Sequence, residues 1–232
     1  MEFATLERAT GRTVAFVGEG TEVEVNRLVD DGLLPAKFVH HAQPKREYKL
    51  WETALALRFN RRCKGLLTKE ARKSTIRILA DRYVGEISTI FIAIMSEPYI
   101  QAAAINRAIE RNNWRVSLGE VSVDLTDDLK STAERIKLLS TVEQSITIDP
   151  ETMDGAPVFK GTRLPIETAL ASLDSGVTIA EMVEDYPMLN AEKIEQARIY
   201  VALHPRPGRP KKLRASPPHI TKRRINAPAS RG

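Results

Sequence analysis

Asn26 and Arg27 stand side by side in a helix-forming stretch, and their side chains are of the types that meet adenine and guanine edges in a DNA major groove. Lys37, Lys45, Arg46 and Lys49 follow around a turn, and Arg61, Arg62 and Lys64 close the next stretch. Cations placed along a helix and a wing neutralise phosphates and release counterions, while a few neighbours reach base edges. Residues 37–82 hold thirteen Lys/Arg against four Asp/Glu, which makes this segment the candidate nucleic-acid surface. Glu22, Glu24, Asp30 and Asp31 dilute the charge of the Asn26 helix, and a solvated basic face on a structural helix pair is the competing reading.

A second cationic segment lies at the other end. Residues 205–232 carry nine Lys/Arg, no Asp/Glu and six prolines, with little apolar beyond Leu213 and Ile220, and are expected to be disordered when unbound. Within them Arg206-Pro207-Gly208-Arg209-Pro210-Lys211-Lys212 resembles an AT-hook, an extended core that lies in a narrow minor groove, although Pro207 interrupts it. A solubilising tail is the plainer alternative. Between the two basic ends, residues 86–204 hold 10 Lys/Arg against 19 Asp/Glu. This charge asymmetry points to anionic partners at the ends.

The elements that position these residues follow from caps and periodicity. Phe3–Thr10 is expected to be a helix closed by Gly11. Thr21 with Glu24 forms a capping box for a helix carrying Asn26 and Arg27, which Gly32 ends and Pro35 keeps from resuming. Lys37–His40 and Glu47–Leu50 read as two strands around a hairpin or wing, and Trp51–Arg62 and a stretch from Thr68 read as helices. Ile87–Met95 is an apolar run compatible with a buried strand, Tyr99–Asn112 with a helix, and Glu120–Leu125 with a strand, after which Thr126 caps a helix over Asp127–Glu143.

Residues 145–204 read as a compact unit: a strand at Ile146–Ile148, then helices over Pro165–Asp174, from the Thr178/Glu181 capping box to Tyr186, and from Asn190 to Leu203. The last helix begins with Glu192 and Glu195, which would repel phosphate, so this unit is assigned to dimerisation or partner binding. Arg163 is expected to clamp onto a carboxylate such as Asp185. The fold class is mainly α with short β-strands (α+β). Its expected parts are 1–85, a winged helix-turn-helix; 86–144, a connecting region; 145–204, a three-helix HTH-like unit; and 205–232, the basic tail.

Several function classes are disfavoured. No apolar run is long enough to span a bilayer, and an N-terminus bearing Glu2 and Glu7 lacks the pattern of a secretory signal. The single Cys63 forms no internal disulfide, and four histidines, two of them adjacent at His40 and His41, lack zinc-finger spacing; a reducing cytoplasm and no cofactor or structural metal are expected. Gly18-Glu19-Gly20 lacks the strand, third glycine and acidic partner of a dinucleotide site, and no nucleophile elbow or phosphate loop is present, so the expectation is binding without turnover.

Ile148-Asp149-Pro150, Gly155-Ala156-Pro157-Val158, Lys160-Gly161-Thr162-Arg163-Leu164-Pro165-Ile166, Asp174-Ser175-Gly176, Val183-Glu184-Asp185-Tyr186-Pro187 and His204-Pro205-Arg206 with Gly208-Arg209-Pro210 form one phased pattern. It resembles the small antitoxin-associated domain of a subset of VapB-type antitoxins; Ala156 stands where that family has a second glycine. Residues 21–82, notably Val25-Asn26-Arg27-Leu28-Val29-Asp30-Asp31-Gly32-Leu33-Leu34-Pro35, look like the MerR-like winged helix-turn-helix that precedes it. The resemblance implies a homodimeric antitoxin that represses its own operon by binding operator DNA and neutralises a PIN-like ribonuclease toxin. Arginines of the tail would then pair with the carboxylates that hold the nuclease metal, with Arg206, Arg209, Lys211, Lys212, Arg214, Lys222, Arg223 and Arg224 as the toxin-binding residues. The alternatives are a DNA-binding regulator or chromosome-associated protein with a minor-groove tail and no toxin, and a nuclease accessory subunit.

Overall fold

The computed structural model describes residues 8–41, 45–96 and 100–205. The chain is mainly helical with short antiparallel strands, an α+β class. Among the described residues no helix is long and apolar enough to cross a membrane.

Strand β1 (Arg8–Thr10) opens the described chain, where a helix was expected. The reason lies in Thr10: it sits in an extended conformation and its side chain accepts from the Thr13 N–H, so it caps the following helix α1 (Gly11–Val17). Gly11 therefore starts a helix and does not close one. Gly18-Glu19-Gly20 turns the chain into α2 (Glu22–Asp30), whose capping box between Thr21 and Glu24 is fully formed. A Cβ on Gly18 would lie 2.8 Å from Leu57 Cδ2 and 3.1 Å from the Ala54 carbonyl oxygen, so the turn is glycine-rich because it presses on the next long helix. Gly32, at φ 66°, ends α2 in the left-handed region as its position in the sequence suggests.

Strands β2 (Val39–His41) and β3 (Arg46–Lys49) pair antiparallel, and β1 lies on the other edge of β3 to give the order β1-β3-β2. Tyr48 occupies the centre, flanked by Ala9 and Val39 and only 1% exposed. Helix α3 (Leu50–Cys63) follows directly, then α4 (Lys69–Ile78), a π-helical turn over Leu79–Tyr83, and α5 (Val84–Ser96). The run Ile87–Met95, compatible with a strand by composition, is thus helical. Ile87, Phe91 and Ile94 recur at helical spacing and are all buried, while Ile92 is half exposed.

Helix α6 (Ala102–Glu110) leads to a hairpin of β4 (Arg115–Leu118) and β5 (Val121–Asp124), of which only the second strand was expected. Helix α7 (Thr126–Gln144) begins with no side-chain cap from Thr126; the Asp124 carboxylate accepts from the Thr126 N–H and does that work. Leu129, Ala133, Ile136 and Leu139 of α7 belong to one hydrophobic cluster, which runs from Ala9 through α1–α6 without a break at Gly85. Val142 belongs to a second cluster formed with the C-terminal unit. The segment 86–144 therefore supplies α5, α6 and α7 to the core of the N-terminal half.

That C-terminal unit pairs β6 (Ile146–Thr147) with β7 (Val158–Phe159), followed by α8 (Ile166–Asp174), α9 (Ile179–Asp185) and α10 (Ala191–Leu203). The Thr178/Glu181 box and the Asn190 cap form as expected. Ala156 adopts φ −65°, ψ 141°, a conformation open to any residue, so the missing glycine there is harmless; Met153, Asp154 and Gly155 carry the positive φ values of this turn.

Candidate nucleic-acid interface

Helix α2 buries Val25 and Leu28 against the core. Helical spacing turns Val23, Arg27 and Asp30 directly away from it, Glu24 and Asp31 to one flank, and Glu22 and Asn26 to the other. Val23, which the hydrophobic pattern groups with Leu28 and Val29 on the apolar face of this helix, is instead 58% exposed at the centre of the outward face. The turn before α2 is held by Arg58, which pairs with Glu19 at 3.0 Å and reaches the Val17 carbonyl, and by Arg135 of α7, whose guanidinium donates to the Phe16 carbonyl and lies 3.9 Å from the Phe16 ring centroid.

The cations expected to hold DNA are distributed unevenly. Each carboxylate on α2 and its C-cap meets a cation from a neighbouring element: Glu22 with Arg12 at 3.7 Å, Glu24 with Arg61 at 3.4 Å, Asp30 with Arg46 at 2.9 Å, and Asp31 with Lys69 at 3.8 Å. Burial alone would raise the Glu24 carboxyl, but hydrogen bonds from Thr21, with Arg61 and Lys64 nearby, hold it below its ordinary value. Hydrogen bonding to Asp30 raises the Arg46 guanidinium. Such exposed pairs are weak and exchangeable, so their cations remain usable by phosphate, though the displaced carboxylates stay close by.

Three other members of the set do structural work. Lys37 donates to the Ala80 carbonyl at 3.1 Å and to Asp81 at 2.7 Å, holding the end of the sheet against the π-helical turn. Lys49 lies 3.9 Å from Glu52, a side chain only 3% exposed. Arg62 donates to Asp128 of α7 through Nε at 3.1 Å and a terminal nitrogen at 2.5 Å, and also to the Asp124 carbonyl at 2.9 Å. The hydrogen bond with Asp128 raises the arginine. Burial pushes the Asp128 carboxyl up, against the pull of Arg62, because at 7% exposure it has lost most of its water. Arg27, Lys45 and Lys64 are exposed and have no ion pair among the described residues.

Asn26 is placed differently from its expected role. Its Oδ1 accepts from the Tyr48 hydroxyl at 2.8 Å, and it faces a cleft of about 710 Å³ between the N-terminal half and the C-terminal unit, where Lys45, Arg46, Ile166, Glu167, Tyr200 and His204 also stand. Arg27, on the outward face, is the better placed of the pair.

Residues 146–201 match the family described as a protein of unknown function (DUF433). The chain is also similar to the "Uncharacterized protein y4eO" of Sinorhizobium fredii (strain NBRC 101917 / NGR234), at 28% identity over 206 residues, covering 89% of this chain and 86% of that one. No solved structure matches the chain.

In the DUF433-matching segment, Lys160-Gly161-Thr162-Arg163 forms a tight turn. Gly161 has φ 78°, and Thr162 Oγ1 donates to the Phe159 carbonyl and accepts from the Leu164 N–H. The expected clamp does not form: Arg163 is exposed and makes no ion pair with Asp185 among the described residues. The turn is closed by threonine and backbone, which leaves the arginine outside. His204 instead ties the end of α10 to α7, its Nε2 lying 2.9 Å from Glu143 Oε1 and its ring stacked 4.4 Å from Tyr200. The toxin-binding set Arg206, Arg209, Lys211, Lys212, Arg214, Lys222, Arg223 and Arg224 lies outside the described residues.

Proposed function

We propose that this chain is the antitoxin and autorepressor of a type II toxin–antitoxin pair: a homodimer that binds operator DNA through α2 and the β2–β3 wing and neutralises a PIN-like ribonuclease with its basic tail. The observation that carries the DNA half is the order helix, turn, helix, hairpin, with Val23 and the unpaired Arg27 turned outward on the second helix. The toxin half rests on the phased motif pattern over residues 148–210 and on the acid-free cationic tail. Two copies each offering Arg27, Lys45 and Lys64 would engage about six phosphates, for which affinity falls on the order of a thousandfold between about 50 and 200 mM salt.

The test is binding of the full chain to the duplex upstream of its gene across a salt series, paired with co-expression of the neighbouring reading frame. Salt-dependent binding that weakens in Arg27→Ala, together with rescue of growth from a toxic neighbour, is the expected result. Deleting residues 205–232 should impair neutralisation more than DNA binding. Salt-insensitive binding, or a deletion that abolishes DNA binding and spares neutralisation, overturns the assignment of roles, the latter in favour of a minor-groove tail.

A further inference from the structure

Three lysines line one groove in the otherwise acidic half of the chain. Residues 86–204 contain four lysines: Lys130, Lys137, Lys160 and Lys193. Lys130 pairs with Glu110 at 2.6 Å. The other three line a single groove of about 480 Å³, with Lys137 and Thr141 from the last turns of α7, Lys160 from the loop after β7, and Lys193 from the first turn of α10.

Their surroundings differ from those of the paired lysines. Lys37, Lys49, Lys69 and Lys130 each have a carboxylate within 4.0 Å, which cancels their charge. Of the groove's lysines, Lys137 donates to the Ile100 carbonyl at 2.6 Å and Lys193 to the Met188 carbonyl at 2.7 Å, while Lys160 is exposed, and none of the three has an ion pair among the described residues. A neutral carbonyl orients an ammonium group and leaves its charge standing. Glu192 is the one carboxylate among the lining residues, and its Oε1 already accepts from the Gln196 amide at 3.1 Å. Three lysines against one carboxylate along a single groove give it a net positive lining, which favours an anion. The start of α10 does not supply the attraction, since the Lys193 N–H is taken by the Asn190 side chain at 2.8 Å.

We propose that this groove binds a small phosphate-bearing ligand, with Lys137 and Lys193 held in place by backbone carbonyls and Lys160 as the exposed third contact. The volume suits a small molecule, and lysines acting as point charges with a nearby hydroxyl suit a phosphate group. The site lies in the acidic half, among charges of opposite sign to the cations assigned to DNA and toxin, and its failure would leave that assignment untouched.

The experiment follows backbone amide shifts of the full chain by NMR while inorganic phosphate, or adenosine monophosphate, is titrated against chloride at matched ionic strength. Saturable shifts at Ser145, Lys160 and Lys193 are expected, weakened about tenfold in Lys160→Gln, the order of one charge-assisted hydrogen bond. Lys130→Gln should leave them unchanged. Tighter response to inorganic phosphate identifies a free anion as the ligand, and tighter response to the nucleotide identifies a phosphate ester. Equal shifts with chloride, saturation confined to other parts of the chain, or an unaltered response in Lys160→Gln overturns the proposal. So does a groove that responds to a polyglutamate peptide and not to phosphate.

Discussion

Around α2, four carboxylates each pair with a cation from a neighbouring element; around the end of α7, three lysines line one groove, two of them bonded to backbone carbonyls. By composition the first region is the basic one and the second is acidic. By free charge the two are much closer: among the described residues Arg27, Lys45 and Lys64 stand without ion pairs in the first, and Lys137, Lys160 and Lys193 in the second. A count of residue types along the chain reports how many charges a region contains, whereas an anion responds to those that remain uncancelled, and the two differ wherever the fold brings partners together across long sequence distances.

The largest test of this contrast is the pair of Arg62 with the buried Asp128. Removing the cation from Asp128, as in Arg62→Ala, strands a carboxylate that is 7% exposed, and should cost about 3 kcal/mol of unfolding free energy. Denaturant unfolding at pH 7 measures it. The loss should shrink as pH falls, because a carboxyl whose folded-state pKa lies above its unfolded value binds its proton more tightly when folded; stability is regained below that pKa and lost as pH rises through it. A penalty that stays constant as pH is lowered to the unfolded-state carboxyl value would mean that Asp128 is not the stranded group.

Next in size, Asp30→Asn releases Arg46 from its partner and should tighten duplex binding severalfold, whereas Arg27→Ala weakens it about tenfold. Equal losses on replacing Arg27 and Arg46 by alanine would erase the distinction between paired and free cations. The smallest effect belongs to an exposed pair: Lys69→Ala should alter stability by no more than about 0.5 kcal/mol. A subtler readout is available at the second capping box, where hydrogen bonds from the Thr178 N–H and hydroxyl hold the Glu181 carboxyl below its ordinary value. Its contribution is complete above about pH 4.5 and is lost as pH falls through the lower folded value, so carboxyl NMR should show Glu181 titrating below an unstructured glutamate, and Thr178→Ala should return it upward.

What could be read from the chain in advance was local. The boxes at Thr21/Glu24 and Thr178/Glu181, the Asn190 cap and the glycine after α2 each involve residues within a few positions of one another, and all are found. The hairpin was legible from alternation, though not that β1 would complete its sheet, because a three-residue strand has no periodicity to display. Ile87–Met95 was ambiguous since apolar runs lack a period until their neighbours are known; its helicity continues from α4 through the π turn. The candidate site suffered most. Arg62 and Asp128 are 66 positions apart, and Asn26 and Tyr48 are 22 apart, so no spacing rule announces that these polar groups are already engaged.

Helix α7 gives Leu139 to one apolar cluster and Val142 to the next, with Leu138 packed on the second as well. A fragment cut where the DUF433 match starts, at residue 146, would leave behind part of the floor on which Ile146, Ile194 and Ala197 rest. The border of sequence similarity is thus not a place where this molecule can be severed. Its two halves share a spine, and should melt as one cooperative body.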